Sequence, residues 1–129
     1  MATLYFALLF AGLCALLQCA LTALVVVRRM QTGVNLMDGG DAQLLQRIRA
    51  HGNFAETVPM ALLLMALLEL KGLPPVWLVC LGLALVTGRV LHVGGMLVSG
   101  LRWCRMAGMA LTLAVISFEG ALCIWVFLR

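Results

Sequence analysis

Residues 2–27 contain no charged side chain, and this run of 26 exceeds the roughly 20 apolar residues that cross a bilayer as a helix. Arg28 and Arg29 follow the run instead of preceding it, the reverse of a cleaved leader, so the pattern predicts a first transmembrane helix over about 2–28. Gly33, Asp38, Gly39, Gly40 and Asp41 then supply a polar, turn-forming segment. A second helix is predicted over about 43–70. It opens on polar residues from Gln43 to Arg49, carries His51, Asn53, Glu56 and Pro59, and ends in an apolar run over 60–68. Pro59 has no N–H for the carbonyl four residues back, so a local kink is expected there. Lys71-Gly72 with Pro74-Pro75 predicts a tight break. A third helix over about 75–98 is interrupted by Arg89 and His92, residues 99–102 form a turn, and a fourth helix over about 103–128 holds one acid, Glu119. The pattern describes an all-α integral membrane protein: a single domain, 1–129, built as a four-transmembrane-helix bundle.

Composition agrees and narrows the classes. Hydrophobic residues make up 64% and charged residues 11%, with a mean hydropathy of +1.12. Soluble domains run at about 45–50% and about 25%. A chain this short cannot bury so much apolar surface within itself, so lipid is its solvent. A soluble enzyme, a nucleic-acid module and a disordered tail are excluded. Four spans put both termini on one side. The opposite loops and their flanks hold Arg28, Arg29, Arg47, Arg49, Arg102 and Arg105, against Lys71 and Arg129 on the terminal side. The positive-inside rule then predicts cytoplasmic arginine-rich loops and outside termini, with Trp77 and Trp125 near the outer boundary and Trp103 near the inner one. The five cysteines form no C-x-x-C pair and read as small buried apolar residues. Two histidines on different helices, with no second acidic cluster, give no readable metal site.

Ionisable groups inside spans are costly and face the bundle interior or a wet cavity. Arg49, Asn53 and Glu56 stand at i, i+4 and i+7 on one stripe of the second helix, and Arg89 and His92 at i and i+3 on the third. Glu56 lies ~10 Å and Arg89 ~15 Å inside the arginine-rich ends of their helices. Two readings follow. In one, Glu56 and Arg89 are a buried pair that fixes helix register. In the other, Arg49, Asn53, Glu56, Arg89, His92 and Arg105 line a polar cavity open to the cytoplasm. Its mixed charges suit a zwitterionic or polyanionic small molecule, since arginines fork onto carboxylates and a glutamate takes an ammonium. Arg28 and Arg29 read as interface anchors, His51 as a helix-start residue, and Glu119 as an interhelical hydrogen-bond partner.

The stretch Arg49-Ala50-His51-Gly52-Asn53-Phe54-Ala55-Glu56-Thr57-Val58-Pro59 resembles the signature of the MAPEG family, the membrane-associated proteins in eicosanoid and glutathione metabolism. That pattern reads R-A-x-x-N-x-x-E with a proline three residues on. Gly88-Arg89-Val90-Leu91-His92 resembles the family's segment on helix three, and Arg105 falls where family enzymes keep an arginine at the start of helix four. The resemblance covers essentially the whole chain and is nearest to short bacterial members. It implies a homotrimer in the bacterial inner membrane, with glutathione bound as co-substrate between subunits near the cytoplasmic face. It also implies that Arg49, Asn53 and Glu56 hold the tripeptide's polar ends, that Arg89 and His92 line the cleft, that Arg28 contributes from the end of helix one, and that Arg105 sits beside the thiol as the catalytic cation. The partners implied are a second copy, membrane lipid and a small lipophilic substrate. The sequence departs from the pattern at Leu45 and Gln46, where a glutamate-arginine pair is usual, at Met96 in place of a tyrosine, and at Met106 in place of a serine in one branch. A glutathione transferase or peroxidase is the first functional reading. A non-catalytic binding or structural protein on the same fold is the second. A proton-coupled exporter using Glu56 or Glu119 is disfavoured, because residues 2–27 contain no carboxylate.

Overall fold

The computed structural model describes residues 4–98 and 100–129. The predicted start of the first helix at residues 2 and 3, and Ser99 in the predicted third turn, lie outside the described residues. Four helices account for nearly all of the chain: α1 (Tyr5–Thr32), α2 (Ala42–Leu70), α3 (Pro75–Leu97) and α4 (Arg102–Phe127). All four are long and apolar enough to cross a membrane. They run alternately up and down, which brings both termini to one end of the bundle. Among the described residues, α2 and α3 carry seven buried residues each and α1 and α4 four each, so the middle pair forms the interior. Phe10 and Cys14 of α1, Phe54, Val58 and Met65 of α2, Leu78 and Leu85 of α3, and Val115 of α4 make up one continuous core. Outward-facing leucines such as Leu16 and Leu63 stay exposed, the arrangement a lipid solvent permits.

Each helix end has a local cause. α1 runs a turn beyond Arg28, to Thr32, and stops at Gly33 in the left-handed conformation (φ 68°) that glycine adopts without strain. Arg29 lies in this last turn and donates to the Val34 and Met37 carbonyls, while Arg28 makes a two-pronged ion pair with Asp41 (3.0 and 2.7 Å). Asp41 also caps α2 through the Leu44 amide at 2.6 Å. α2 runs unbroken through Pro59 and ends in a Schellman arrangement: Leu73 N–H bonds Leu68 O and Gly72 N–H (φ 80°) bonds Glu69 O. Pro75 then opens α3, where its missing N–H costs nothing. The start of α1 is capped from another helix, because the Glu69 carboxylate accepts from the Phe6 and Ala7 amides at 2.9 and 2.8 Å.

α3 and α4 approach closely because glycines remove the side chains between them. A Cβ on Gly95 would strike the Arg105 backbone, and one on Gly108 would strike the Gly88 carbonyl and His92 amide. Gly82 similarly receives the Phe10 ring from α1. Small residues at contacts are the usual means of packing helices where no hydrophobic force acts between them. The cysteines depart from expectation. Only Cys14 is buried, Cys19 and Cys80 are exposed, and Cys104 and Cys123 are intermediate. On a bundle solvated by lipid, small apolar side chains gain little from facing inward.

Two outcomes are expected. Gly108→Leu drives α3 and α4 apart and lowers stability by roughly 1–3 kcal/mol or more, whereas Gly120→Leu, at a site with open space, does not; thermal unfolding in detergent measures both. Arg28, and secondarily the Leu44 amide, hold the Asp41 carboxyl below the ordinary carboxylate range. Because the folded-state value is depressed, this stabilisation is present above the unfolded value of about 3.9 and disappears as pH falls through and below it. Asp41→Asn should therefore unfold more readily than the parent at neutral pH, with the gap closing in acid.

Candidate functional site

A cleft of about 450 Å³ opens near the arginine-rich end, between the first half of α2, the end of α3 and the start of α4. It is lined by Ile48, Arg49, Gly52, Asn53, Glu56, His92, Met96 and Arg105. Its volume lies within the roughly 300–1,000 Å³ range of small-molecule sites. The helix period puts Arg49, Gly52, Asn53 and Glu56 on one face of α2, and Gly52 leaves that face open between them. Arg49, Glu56 and Arg105 are exposed, while His92 is buried at the back of the cleft. Two guanidinium groups and one carboxylate thus reach the same space, and none of them makes an ion pair within 4.0 Å of a described residue.

His92 is oriented by α4. Its Nδ1 lies 3.1 Å from the Arg105 carbonyl, and a carbonyl only accepts, so Nδ1 carries the hydrogen. Arg105 is placed by the same contact region, where Gly95 lets the α4 backbone come against α3. Its Nη1 is 4.0 Å from the Met96 sulfur, so Met96 occupies the cleft beside the cation.

The structure brings Arg49, Asn53, Glu56, His92 and Arg105 together. It places Arg89 and Arg28 elsewhere. Arg89 is fully buried in the bundle and does not line the cleft. Nor does it meet Glu56, as a charge-pairing argument expects. Its Nε donates to Thr112 Oγ1 at 3.0 Å, and its Nη1 donates to Asn53 Oδ1 at 2.8 Å and Thr57 Oγ1 at 3.1 Å. Its Nη2 donates to the Met109 sulfur at 3.8 Å, so three neutral oxygens and one thioether on α2 and α4 accept from one side chain of α3. Arg28 is held by Asp41 on its own chain. His51 is more than a helix-start residue, since the Gln18 amide of α1 donates to its Nε2 at 2.8 Å. Glu119 is fully buried, but its carboxylate oxygens have no hydrogen-bond partner among the described residues.

Sequence reasoning missed the partners of Arg89. Thr57 and Thr112 are unremarkable hydroxyls in apolar helices, and both also back-bond to their own helix, at Asn53 O and Gly108 O. The absence of an acid one turn from Arg89 is the signal that its partners come from other helices. Glu69 was missed as well, because it sits at the edge of an apolar run.

A four-span membrane bundle with a mixed-charge cleft at one end defines the class. The chain belongs to the MAPEG family, whose sequence pattern matches residues 7–125. It is also similar to the inner membrane protein YecN of Escherichia coli K12, with 40% identity over 105 residues that span 81% of this chain and 79% of that protein. The YecN protein of Escherichia coli O6:H1 matches to the same extent.

The Arg89 arrangement carries its own expectation. Thr112→Val preserves shape but leaves the Arg89 Nε donor buried without an acceptor, so stability should fall by about 1–3 kcal/mol. Thermal unfolding checks this, with Thr87→Val, at an exposed position of α3, as the control.

Proposed function

We infer that this protein binds glutathione in the cleft between α2, α3 and α4 and uses it as a co-substrate, as a transferase or peroxidase acting on a lipophilic molecule delivered from the bilayer. The observation that carries this reading is the convergence of Arg49, Asn53, Glu56, His92 and Arg105 on one 450 Å³ space in a chain of the MAPEG family. Glutathione carries two carboxylates, one ammonium and a thiol. Arg49 is suited to fork onto a carboxylate, and Glu56 to take the ammonium. Asn53 already gives its oxygen to Arg89 and one amide hydrogen to the Met109 sulfur, so its second amide hydrogen is what it offers a ligand.

Arg105 is the group suited to the thiol. A free thiol has a pKa of about 8.5, and a neighbouring cation lowers it toward neutrality. The thiolate is the nucleophile, and a guanidinium is a cation that never gives up its proton. On this reading the thiol proton leaves to solvent, the sulfur attacks the electrophilic atom of the second substrate, and Arg105 offsets the charge on sulfur until the new bond forms. In conjugation the electron pair of the broken π bond or leaving-group bond takes a proton from solvent. In peroxide reduction the O–O bond breaks, the alkoxide takes a proton from solvent, and a second glutathione reduces the sulfenic acid to give the disulfide and water. The reading extends to a homotrimer in an inner membrane, with the arginine-rich end cytoplasmic and both termini outside. The charge asymmetry of the loops and the name of the Escherichia coli relatives support that placement.

A second reading is a binding protein without turnover. Met96 favours it, because a thioether stands beside Arg105 where a hydroxyl would help hold the sulfur.

Calorimetry of glutathione with the detergent-solubilised protein separates the readings when paired with a conjugation and peroxide-reduction assay. Millimolar or tighter binding is expected, weakened at least about tenfold (1.4 kcal/mol) in Arg49→Ala, with Arg105→Ala losing turnover while still binding. Binding without turnover in the parent supports the second reading. No binding at millimolar glutathione contradicts both.

A further inference from the structure

A second cavity, of about 790 Å³, opens at the same end of the bundle on the side of α1. Its polar lining is Gln43, Gln46, Arg47, Arg102 and Arg105. The two cavities share Arg105 and Met96, so Arg105 stands on the ridge between them. Their electrostatics differ. The α2–α3–α4 cleft includes Glu56, whereas no carboxylate lines this cavity, and none lies within 4.0 Å of its three arginines among the described residues.

The arginines keep donors available. Arg47 gives one N–H to the Leu24 carbonyl at 2.8 Å, which fixes the side chain across the cavity wall. The Arg105 guanidinium hydrogen-bonds only the Met96 sulfur among the described residues, and the Arg102 side chain hydrogen-bonds none of them. Arg102 also begins α4, whose cap residue Leu101 supplies no side-chain acceptor, so the helix start adds positive potential of the same sign. Leu24 and Leu97 give the cavity an apolar wall, and Trp103, 79% exposed beside Arg102, is the kind of residue that sits at a membrane–water boundary.

We propose that this cavity binds a phosphate-bearing anion through Arg47, Arg102 and Arg105. Guanidinium forks match phosphate oxygens, three cations with no carboxylate within 4.0 Å among the described residues favour an anion over the zwitterion suited to the neighbouring cleft, and the glutamine amides complete the donor set. Two sources share this chemistry: the head group of an anionic phospholipid, whose chains would lie along the apolar wall, and free phosphate from the aqueous side.

The test uses Trp103 as reporter in a Trp77→Phe, Trp125→Phe background. In one arm the protein is reconstituted with brominated phosphatidylglycerol or brominated phosphatidylcholine, and quenching gives their relative affinity. In the other, inorganic phosphate is titrated calorimetrically into protein in a neutral detergent. A lipid site gives a several-fold preference for phosphatidylglycerol, which falls to near unity in Arg102→Gln and Arg47→Gln but persists in Arg29→Gln, a cation at the same end outside the cavity. A free-phosphate site gives heats with inorganic phosphate that Arg102→Gln abolishes, without lipid preference. Equal quenching by both lipids together with no phosphate heat overturns the proposal. So does a lipid preference that Arg29→Gln removes as completely as Arg102→Gln, since that is diffuse surface charge. The Arg102 side chain is exposed and hydrogen-bonds no described residue, so its variant is expected to fold, which the thermal unfolding of Arg102→Gln checks in the same preparation.

Discussion

A guanidinium without a carboxylate partner lies at the centre of this bundle, and the arrangement of three helices depends on satisfying it. Desolvating such a charge costs several kcal/mol even after relaxation. Arg89 offsets that cost through Thr112 on α4 and through Asn53 and Thr57 on α2. The geometry is demanding, since the fork fixes where three oxygens must stand. The register of α2 and α4 against α3 is thereby set at the level where the cleft begins. Asn53 belongs to both, accepting from Arg89 with its oxygen while lining the cleft. The structural network and the candidate site meet in that side chain.

Glycines make the network reachable. Gly88, Gly95 and Gly108 let α3 and α4 lie almost backbone to backbone, which brings Thr112 within reach of Arg89 and the Arg105 carbonyl within reach of His92. The same closeness presents Arg105 at the ridge between two cavities of different electrostatic character. One is lined by charges of both signs and the other by cations and neutral groups, and Arg105 borders both.

The four apolar runs were legible in the sequence because the membrane demands long stretches without charge, a strong and simple signal. The family was legible because the stretch from Arg49 to Pro59 resembles its signature in order and spacing. The end of α1 was less so. Arg28 and Arg29 read as a stop, yet the helix continues to Thr32, because Arg29 bonds carbonyls beyond the helix and Gly33 supplies the left-handed turn. Pairing was the least legible feature. Opposite charges suggest Glu56 for Arg89, but three neutral oxygens take that place, and threonine or asparagine in an apolar helix carries no charge signal to reveal it. Glu69 capping α1 from another helix is equally invisible, since the cap and the helix it serves are more than sixty residues apart.

The account rests most heavily on Arg89 being the internal tie of the bundle and Arg49 and Arg105, not Arg89, being the cations presented to a ligand. Arg89→Met, measured for thermal unfolding and for glutathione binding in the same preparation, separates these roles. The expected result is a marked fall in melting temperature, partly recovered by adding Thr112→Val, with the affinity of the folded fraction changed far less than by Arg49→Ala. A variant that melts like the parent but no longer binds glutathione would contradict the account and put Arg89 in the site.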